Sequence, residues 1–393
     1  MNPVLPVYRR SDLTIVRGEG SYLFDENNTA YLDFATGIAV NALGHCHPHL
    51  VKALQEQAAT LWHCSNLYQM PLQQKLAKRF VAATFADTAF FCSSGAEAVE
   101  TGIKMIRRHF HSKGEAKYRI ITLEGAFHGR TFAGISASGH PKAVEGYSPL
   151  LDGFDKVPFN DVDALLKAIT PATAAVLLEP VQGEGGIRVL PSNYLRSVRE
   201  ICDKHGLLVF LDEVQCGMGR TGNLFAHEAA RIRPDVMAVA KGIGNGFPLA
   251  ALLATEHAAS GMVPGSHGST YGANPLAMAA GNAVLDVMEE KTFLPQVKET
   301  SAYLYQKLDE LRDKYRNYIA EIRGVGMMLA IVMQEKIDYR QFADTLRKAG
   351  LLTAPAVAPQ VIRLLPPLNV SKSECDKAIQ IIDAACMALN KQQ

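Results

Sequence analysis

The sequence predicts an α/β protein with a large, mostly parallel-sheet domain and a smaller α+β domain. Three observations lead there. Strand and helix patterns alternate from about residue 86 to 285. One strand, Leu207-Leu-Val-Phe-Leu-Asp212, is apolar up to its last residue, as in a parallel strand covered on both faces. After about residue 285 the pattern turns to longer helices with few strands.

The first forty or so residues have hairpin character, with Gly18-Glu-Gly20 followed by Tyr22-Leu-Phe-Asp-Glu-Asn-Asn-Thr29. They are expected to pack on the C-terminal domain rather than form a core of their own. Strands are predicted near 87–92, 119–123, 174–179, 207–212, 236–240 and 249–254. The helix after the first strand carries Val99, Ile103, Ile106 and Phe110 on one face. A helix over 193–205 carries Leu195, Val198, Ile201 and Cys202, and Gly206 supplies its stop. The last helix begins at a capping box, Ser371-Lys-Ser-Glu374. The expected division is an N-terminal segment, 1–45, a large domain, 46–285, and a C-terminal small domain, 286–393.

At 393 residues the chain has room for two unequal domains. A net charge of +1 with 20% charged residues gives no reason to invoke nucleic acid, and no helix-turn-helix segment is appended. The seven cysteines form no C-x-x-C pair, and an odd number argues against a disulfide framework and for a reducing compartment. The N-terminus lacks an apolar signal core, and the apolar runs are too short to span a membrane. The expectation is a cytoplasmic protein that binds neither membrane nor nucleic acid.

Two strand ends carry the chemistry. Lys241 follows Val236-Met-Ala-Val-Ala240 and opens a glycine run, Lys241-Gly-Ile-Gly-Asn-Gly246. Alone it reads as a surface lysine. Burial would favour its neutral amine, a nucleophile that a carbonyl cofactor traps as a Schiff base. Asp212 ends a neighbouring strand, and ligands of open α/β sheets lie beyond the carboxyl ends of the strands. Asp212 also suits a helix N-cap or a metal ligand. Together the two residues match pyridoxal phosphate, whose ring needs a lysine at the aldehyde carbon and a carboxylate at the ring nitrogen. Ala89-Phe-Phe-Cys-Ser93-Ser94-Gly95-Ala96 is a strand breaking into a helix start, which can cradle a phosphate or simply cap the helix. No Walker loop and no Gly-x-Gly-x-x-Gly fingerprint follows a strand.

With these in place the chain resembles the class III pyridoxal-phosphate aminotransferases, and most of all their acetylornithine branch. The likeness runs from Gly37-Ile-Ala-Val-Asn-Ala-Leu-Gly-His-Cys-His-Pro48 to Val361-Ile-Arg-Leu-Leu-Pro-Pro367. It includes Ser93-Ser-Gly-Ala-Glu-Ala98, Phe127-His-Gly-Arg-Thr131, Glu179-Pro-Val-Gln-Gly-Glu184, Leu211-Asp-Glu-Val-Gln215, Ala240-Lys-Gly242 and Gly268-Ser-Thr-Tyr-Gly272. The resemblance implies the fold-type I architecture. It makes Lys241 the cofactor-linked lysine and proton shuttle, and Asp212 the partner of the pyridinium nitrogen. Gln215 would bond the phenolic oxygen, and Phe127 and Val214 would pack on the ring. Gly95 and Ala96 would give backbone donors to the phosphate. Ser269 and Thr270 resemble residues that cross a dimer interface, Thr270 to the other subunit's phosphate, so a homodimer is implied.

Arg130 resembles the arginine that clamps a substrate carboxylate, and Arg363 the one that binds a carboxylate of glutamate or 2-oxoglutarate. A guanidinium fork suits a carboxylate and lysine does not replace it. Glu184 matches the glutamate that pairs with Arg363 when the other substrate is bound. Ornithine aminotransferases carry a tyrosine where this chain has Gly37, and a glycine leaves space for an Nα-acyl group. The implied reaction transfers the terminal amino group of N2-acetylornithine to 2-oxoglutarate in a ping-pong cycle within arginine biosynthesis. Ornithine and N-succinyldiaminopimelate are alternative substrates. An aminomutase or decarboxylase shares the scaffold, and release of 2-oxoglutarate from glutamate separates a transaminase from both. His45-Cys-His47-Pro-His49 is expected to be a structural loop rather than a metal site, because the proline breaks helical pairing of the ligands.

Overall fold

The structure, a computed structural model, describes residues 3–139 and 141–390. Its centre is a seven-stranded sheet in the order Thr88–Cys92, Ala250–Ala254, Val236–Val239, Leu208–Asp212, Thr173–Leu178, Arg119–Leu123, Phe154–Val157. Ala250–Ala254 runs antiparallel to both neighbours, and the other pairings are parallel. The uninterrupted apolar run at 207–212 has the predicted cause. Val209 and Leu211 belong to the core on one face, and Leu208 and Phe210 to the core on the other.

Helix Gly95–Ser112 covers the second face with Val99, Ile103, Ile106 and Phe110, all buried. It lies so close that a Cβ on Gly102 would stand 2.3 Å from the Phe210 ring. Helix Ser192–His205 covers the first face with Leu195, Val198, Ile201 and Cys202. Gly206 ends it at φ 61°, the left-handed cap predicted for it.

Strand Phe154–Val157 was not anticipated. It is short and forms the sheet edge, where Phe-Asp-Lys-Val carries no apolar run to announce it. The C-terminal region has the expected long helices, Phe293–Lys314 and Lys372–Asn390, with Ser371 and Glu374 bonded reciprocally as a capping box. It also holds more strand than the helical reading expected. Ile319–Val325, Met328–Met333, Val361–Leu364 and Ala354–Pro355 make a four-stranded sheet. Met328-Leu-Ala-Ile-Val-Met333 is an apolar run that periodicity alone cannot assign to strand or helix.

Near the N-terminus, Ile15–Glu19, Tyr22–Asp25 and Ala30–Asp33 form an antiparallel ladder. Its last strand pairs in parallel with Leu351–Leu352. Leu365 N–H donates to the Phe34 carbonyl at 2.6 Å, and the Thr36 hydroxyl to the Leu365 carbonyl at 2.7 Å. The early segment is therefore stitched to the strand that carries Arg363. Among the described residues no helix is long and apolar enough to cross a membrane. All seven cysteines are free.

Candidate active site

Asp212 ends its strand, Lys241 stands just past Val236–Val239, Glu179 just past Thr173–Leu178, and Ser93 just past Thr88–Cys92. These carboxyl ends open into one cavity of about 380 Å³. Of the predicted residues, Gly95, Ala96, Phe127, Arg130, Asp212, Val214, Gln215 and Lys241 line it.

Lys241 has left-handed backbone, φ 51°, a conformation costly for a side chain and found where surroundings impose it. Burial pulls its ammonium down to about 8, and the Arg363 charge pulls the same way. Glu184, Asp212 and Glu179 oppose the shift.

Asp212 is buried and fixed from two sides. Its Oδ2 lies 2.9 Å from His128 Nδ1, and its Oδ1 accepts from Val214 N–H at 3.1 Å. The His128 ring and the Val214 N–H thus hold the carboxylate in one orientation. The His128 backbone N–H donates to the Ser138 hydroxyl at 3.0 Å. Glu179, also buried, accepts from Phe127 N–H at 2.9 Å and from Gly183 N–H at 3.4 Å. Burial pushes its carboxyl well above the usual carboxylate range, and the Asp212 charge adds to the push.

Arg363 is 1% exposed. Its Nη1 and Nη2 donate to the two oxygens of Glu184 at 2.6 and 3.2 Å, and Nη1 also to Gln215 Oε1 at 3.3 Å. Gln215 owes its place to Gly183, where a Cβ would stand 2.2 Å from Oε1. Arg130 is exposed at the rim, its guanidinium 5.3 Å from the centre of the Phe127 ring. Ser269 and Thr270 are not among the lining residues. The Ser269 hydroxyl accepts from Gly272 N–H at 2.9 Å, and Thr270 is exposed.

The histidines of 45–49 go separate ways. His45 Nε2 lies 2.8 Å from Asp33 Oδ2 and His49 Nε2 lies 3.0 Å from Asp286 Oδ2. Among the described residues no group of three or more His, Cys, Asp or Glu is placed to hold a metal ion.

The residues present fit pyridoxal phosphate. A lysine with a depressed ammonium stands in one cavity with a fixed buried carboxylate. Gly95 and Ala96 open helix Gly95–Ser112, where first-turn N–H groups have no acceptor in their own helix and suit a phosphate. Sequence reasoning gave no role to His128, Glu179 or Val40, which line the same cavity. His128 and Glu179 stand inside motifs already singled out, and their chemistry shows only when tertiary contacts bury them.

Fold and site together define a pyridoxal-phosphate enzyme built on an α/β sheet. The profile of the class III aminotransferases matches residues 7–386. The chain is 53% identical over 392 residues to an acetylornithine aminotransferase of Agrobacterium fabrum, covering 100% of this chain and 98% of that one. Among solved structures it resembles N-acetylornithine aminotransferase from Stenotrophomonas maltophilia, with TM-score 0.86, 36% identity and 98% coverage of both chains. It also resembles a Toxoplasma gondii ornithine aminotransferase with partial occupancy of PLP at the active site. There the TM-score is 0.94 at 29% identity, covering 99% of this chain and 93% of that one. The chain belongs to the class III aminotransferase family, whose cofactor is pyridoxal phosphate.

Proposed function

We propose that the chain is an acetylornithine aminotransferase. It moves the terminal amino group of N2-acetylornithine to 2-oxoglutarate, giving N-acetylglutamate 5-semialdehyde and glutamate, in arginine biosynthesis in the cytoplasm. The observation that carries this reading is the two-pronged ion pair of Arg363 with Glu184, bonded to Gln215 in the Lys241 cavity.

Bound pyridoxal phosphate supplies an aldehyde for the amino group and a ring that accepts the electrons left on the substrate carbon. The chain supplies the rest. Lys241 Nζ, easily deprotonated at about 8, takes and returns the proton at the substrate carbon. Asp212, oriented by His128, offers its carboxyl to the ring nitrogen from the cavity wall. Gly95 and Ala96 offer phosphate donors, Gln215 a donor to the phenolic oxygen, and Phe127 and Val214 apolar surface for the ring.

Arg130 at the rim clamps the carboxylate common to both substrates. Glutamate brings a second carboxylate, which takes Arg363 from Glu184. Acetylornithine brings none, and the pair stays closed. Gly37 carries no side chain, and this reading takes that absence as the space for an acyl group; a Cβ there would already touch Val40 at 3.6 Å. The functional unit is a homodimer in which Ser269 and Thr270 serve the partner's site. The exposed Trp62, Leu67, Tyr68 and Tyr271 support this reading as apolar surface awaiting a partner.

The test is single-turnover absorbance of the holoenzyme with N2-acetylornithine and ornithine at equal concentration. Fast conversion by the acetylated compound alone is expected. Equal or faster conversion by ornithine overturns the assignment.

A further inference from the structure

Arg220 is a buried cation without a counter-ion among the described residues. It is 2% exposed, and no described carboxylate forms a salt bridge with it. Its Nη1 donates to two backbone carbonyls, Met327 at 3.2 Å and Pro366. Its Nη2 is buried with no hydrogen-bond partner among the described residues. Burial alone pulls the guanidinium down to about 9. An unpaired buried charge is an expensive way to hold a fold together, and an apolar side chain of similar volume commonly does it as well or better.

The contacts say what the charge does instead. Arg220 sits in the turn that continues from Asp212 and Gln215. Its backbone carbonyl accepts from Met327 N–H at 2.9 Å. Gly326, at φ 60°, packs so tightly here that a Cβ would lie 2.5 Å from that carbonyl oxygen. Met327 leads into strand Met328–Met333, where Ala330 stands opposite Arg363. Pro366 lies just past the end of strand Val361–Leu364, which contains Arg363. One guanidinium thus fastens the near ends of both strands to the loop that carries Asp212 and Gln215.

We infer that Arg220 is a positioning residue for Arg363, holding its strand at the distance that sets the guanidinium fork against the cavity-lining Gln215. The inference rests on the reading of Arg363 as the residue that binds glutamate's second carboxylate. Arg220 touches neither substrate nor cofactor, and its influence on the two substrates is unequal. Acetylornithine leaves the Arg363–Glu184 pair closed, whereas glutamate needs a correctly placed free fork.

The experiment compares Arg220→Met and Arg220→Lys holoenzymes in separate half-reactions. Arg220→Met is expected to lower kcat/KM for glutamate about 30-fold, mainly through KM, and to change that for acetylornithine less than about 3-fold. Its melting temperature should stay near that of the parent. Hydrogen exchange of the Val361–Leu364 amides, measured without cofactor, should quicken. Arg220→Lys, which can reach one carbonyl at a time, should fall between. If Arg220→Met does not accumulate, Arg220→Lys alone carries the comparison. Equal losses in both half-reactions, or unchanged exchange in that strand, overturn the inference. An Arg363→Lys control separates the two failures. If it leaves the glutamate half-reaction intact, the reading of Arg363 falls, and the exchange rates alone decide on Arg220.

Discussion

Arg363 holds Glu184 by both oxygens, at 2.6 and 3.2 Å, where the arginine is 1% exposed. Such a pair is a poor source of stability, since desolvating two charges offsets most of their attraction. It is a good gate. Closed, it presents a substrate with a neutral tail with no net charge. Opened by a competing carboxylate, it exposes a fork of matching geometry.

Glu184→Gln should bias that gate open. The glutamine carbonyl still accepts a hydrogen bond, but Arg363 loses its counter-charge. The glutamate half-reaction should stay within about 3-fold of the parent. The KM for acetylornithine should rise about 10-fold, roughly 1.4 kcal/mol, because a free cation now faces a neutral tail. Separate half-reaction kinetics check this. Equal effects on both substrates would mean that Glu184 has no gating role.

Lys241 gives a pH prediction. An ordinary lysine titrates near 10.5, and burial brings this one to about 8. At pH 7.5 about a quarter of the chains then carry the neutral amine, against roughly one in a thousand for an unshifted lysine. Capture of pyridoxal phosphate by the cofactor-free protein should accelerate with pH and level off just above pH 8. A rate still climbing tenfold per unit beyond pH 9 would contradict it. Lys241→Ala should lose the visible absorbance of the bound cofactor and nearly all turnover.

The large sheet was legible in the sequence because its strands are buried on both faces, so Leu207–Leu211 has no polar interruption. The edge strand Phe154–Val157 lacks that signature. Lys241 and Asp212 were legible because each ends such a strand. Arg363 was not legible from its own strand, since only tertiary contact with Glu184 and Gln215 tells it from a surface arginine, and the resemblance had to supply its role. His128 and Glu179 were invisible for the same reason, because a buried bond between residues far apart in sequence leaves no local pattern.

His128 should matter through Asp212. Without the 2.9 Å contact, the carboxylate keeps only the Val214 N–H and is free to turn. His128→Phe, which has no hydrogen-bonding atom at that place, should lower kcat about 10- to 100-fold for both substrates alike, since in the proposed function both use Asp212 at the ring nitrogen. It should also weaken cofactor retention on dialysis. An effect confined to one substrate would place His128 in the substrate pocket instead.

Glu179 offers the sharpest separation of charge from shape. Its carboxyl is pushed well above the ordinary 4.5 by burial and by Asp212, which favours the uncharged form, while its two oxygens accept from Phe127 and Gly183 N–H. Glutamine has the same shape and no charge, and its one acceptor oxygen can keep the shorter bond, from Phe127 N–H, while giving up the longer one from Gly183. Glu179→Gln should therefore keep activity within about 3-fold at pH 7, whereas Glu179→Ala, which abandons two buried N–H groups, should lose at least about 10-fold. The stability consequence has a definite sign. Above pH 4.5 the unfolded chain releases this proton while the folded chain keeps it. The unfolded state then binds fewer protons, and parent stability falls with rising pH by at most about 1.4 kcal/mol per unit from this group. The loss continues until pH passes the folded value. Glu179→Gln has no proton to lose, so melting curves of the cofactor-free proteins at pH 5, 7 and 9 should show its advantage over the parent growing with pH. A constant difference would mean that Glu179 ionises in the fold as it does in the unfolded chain.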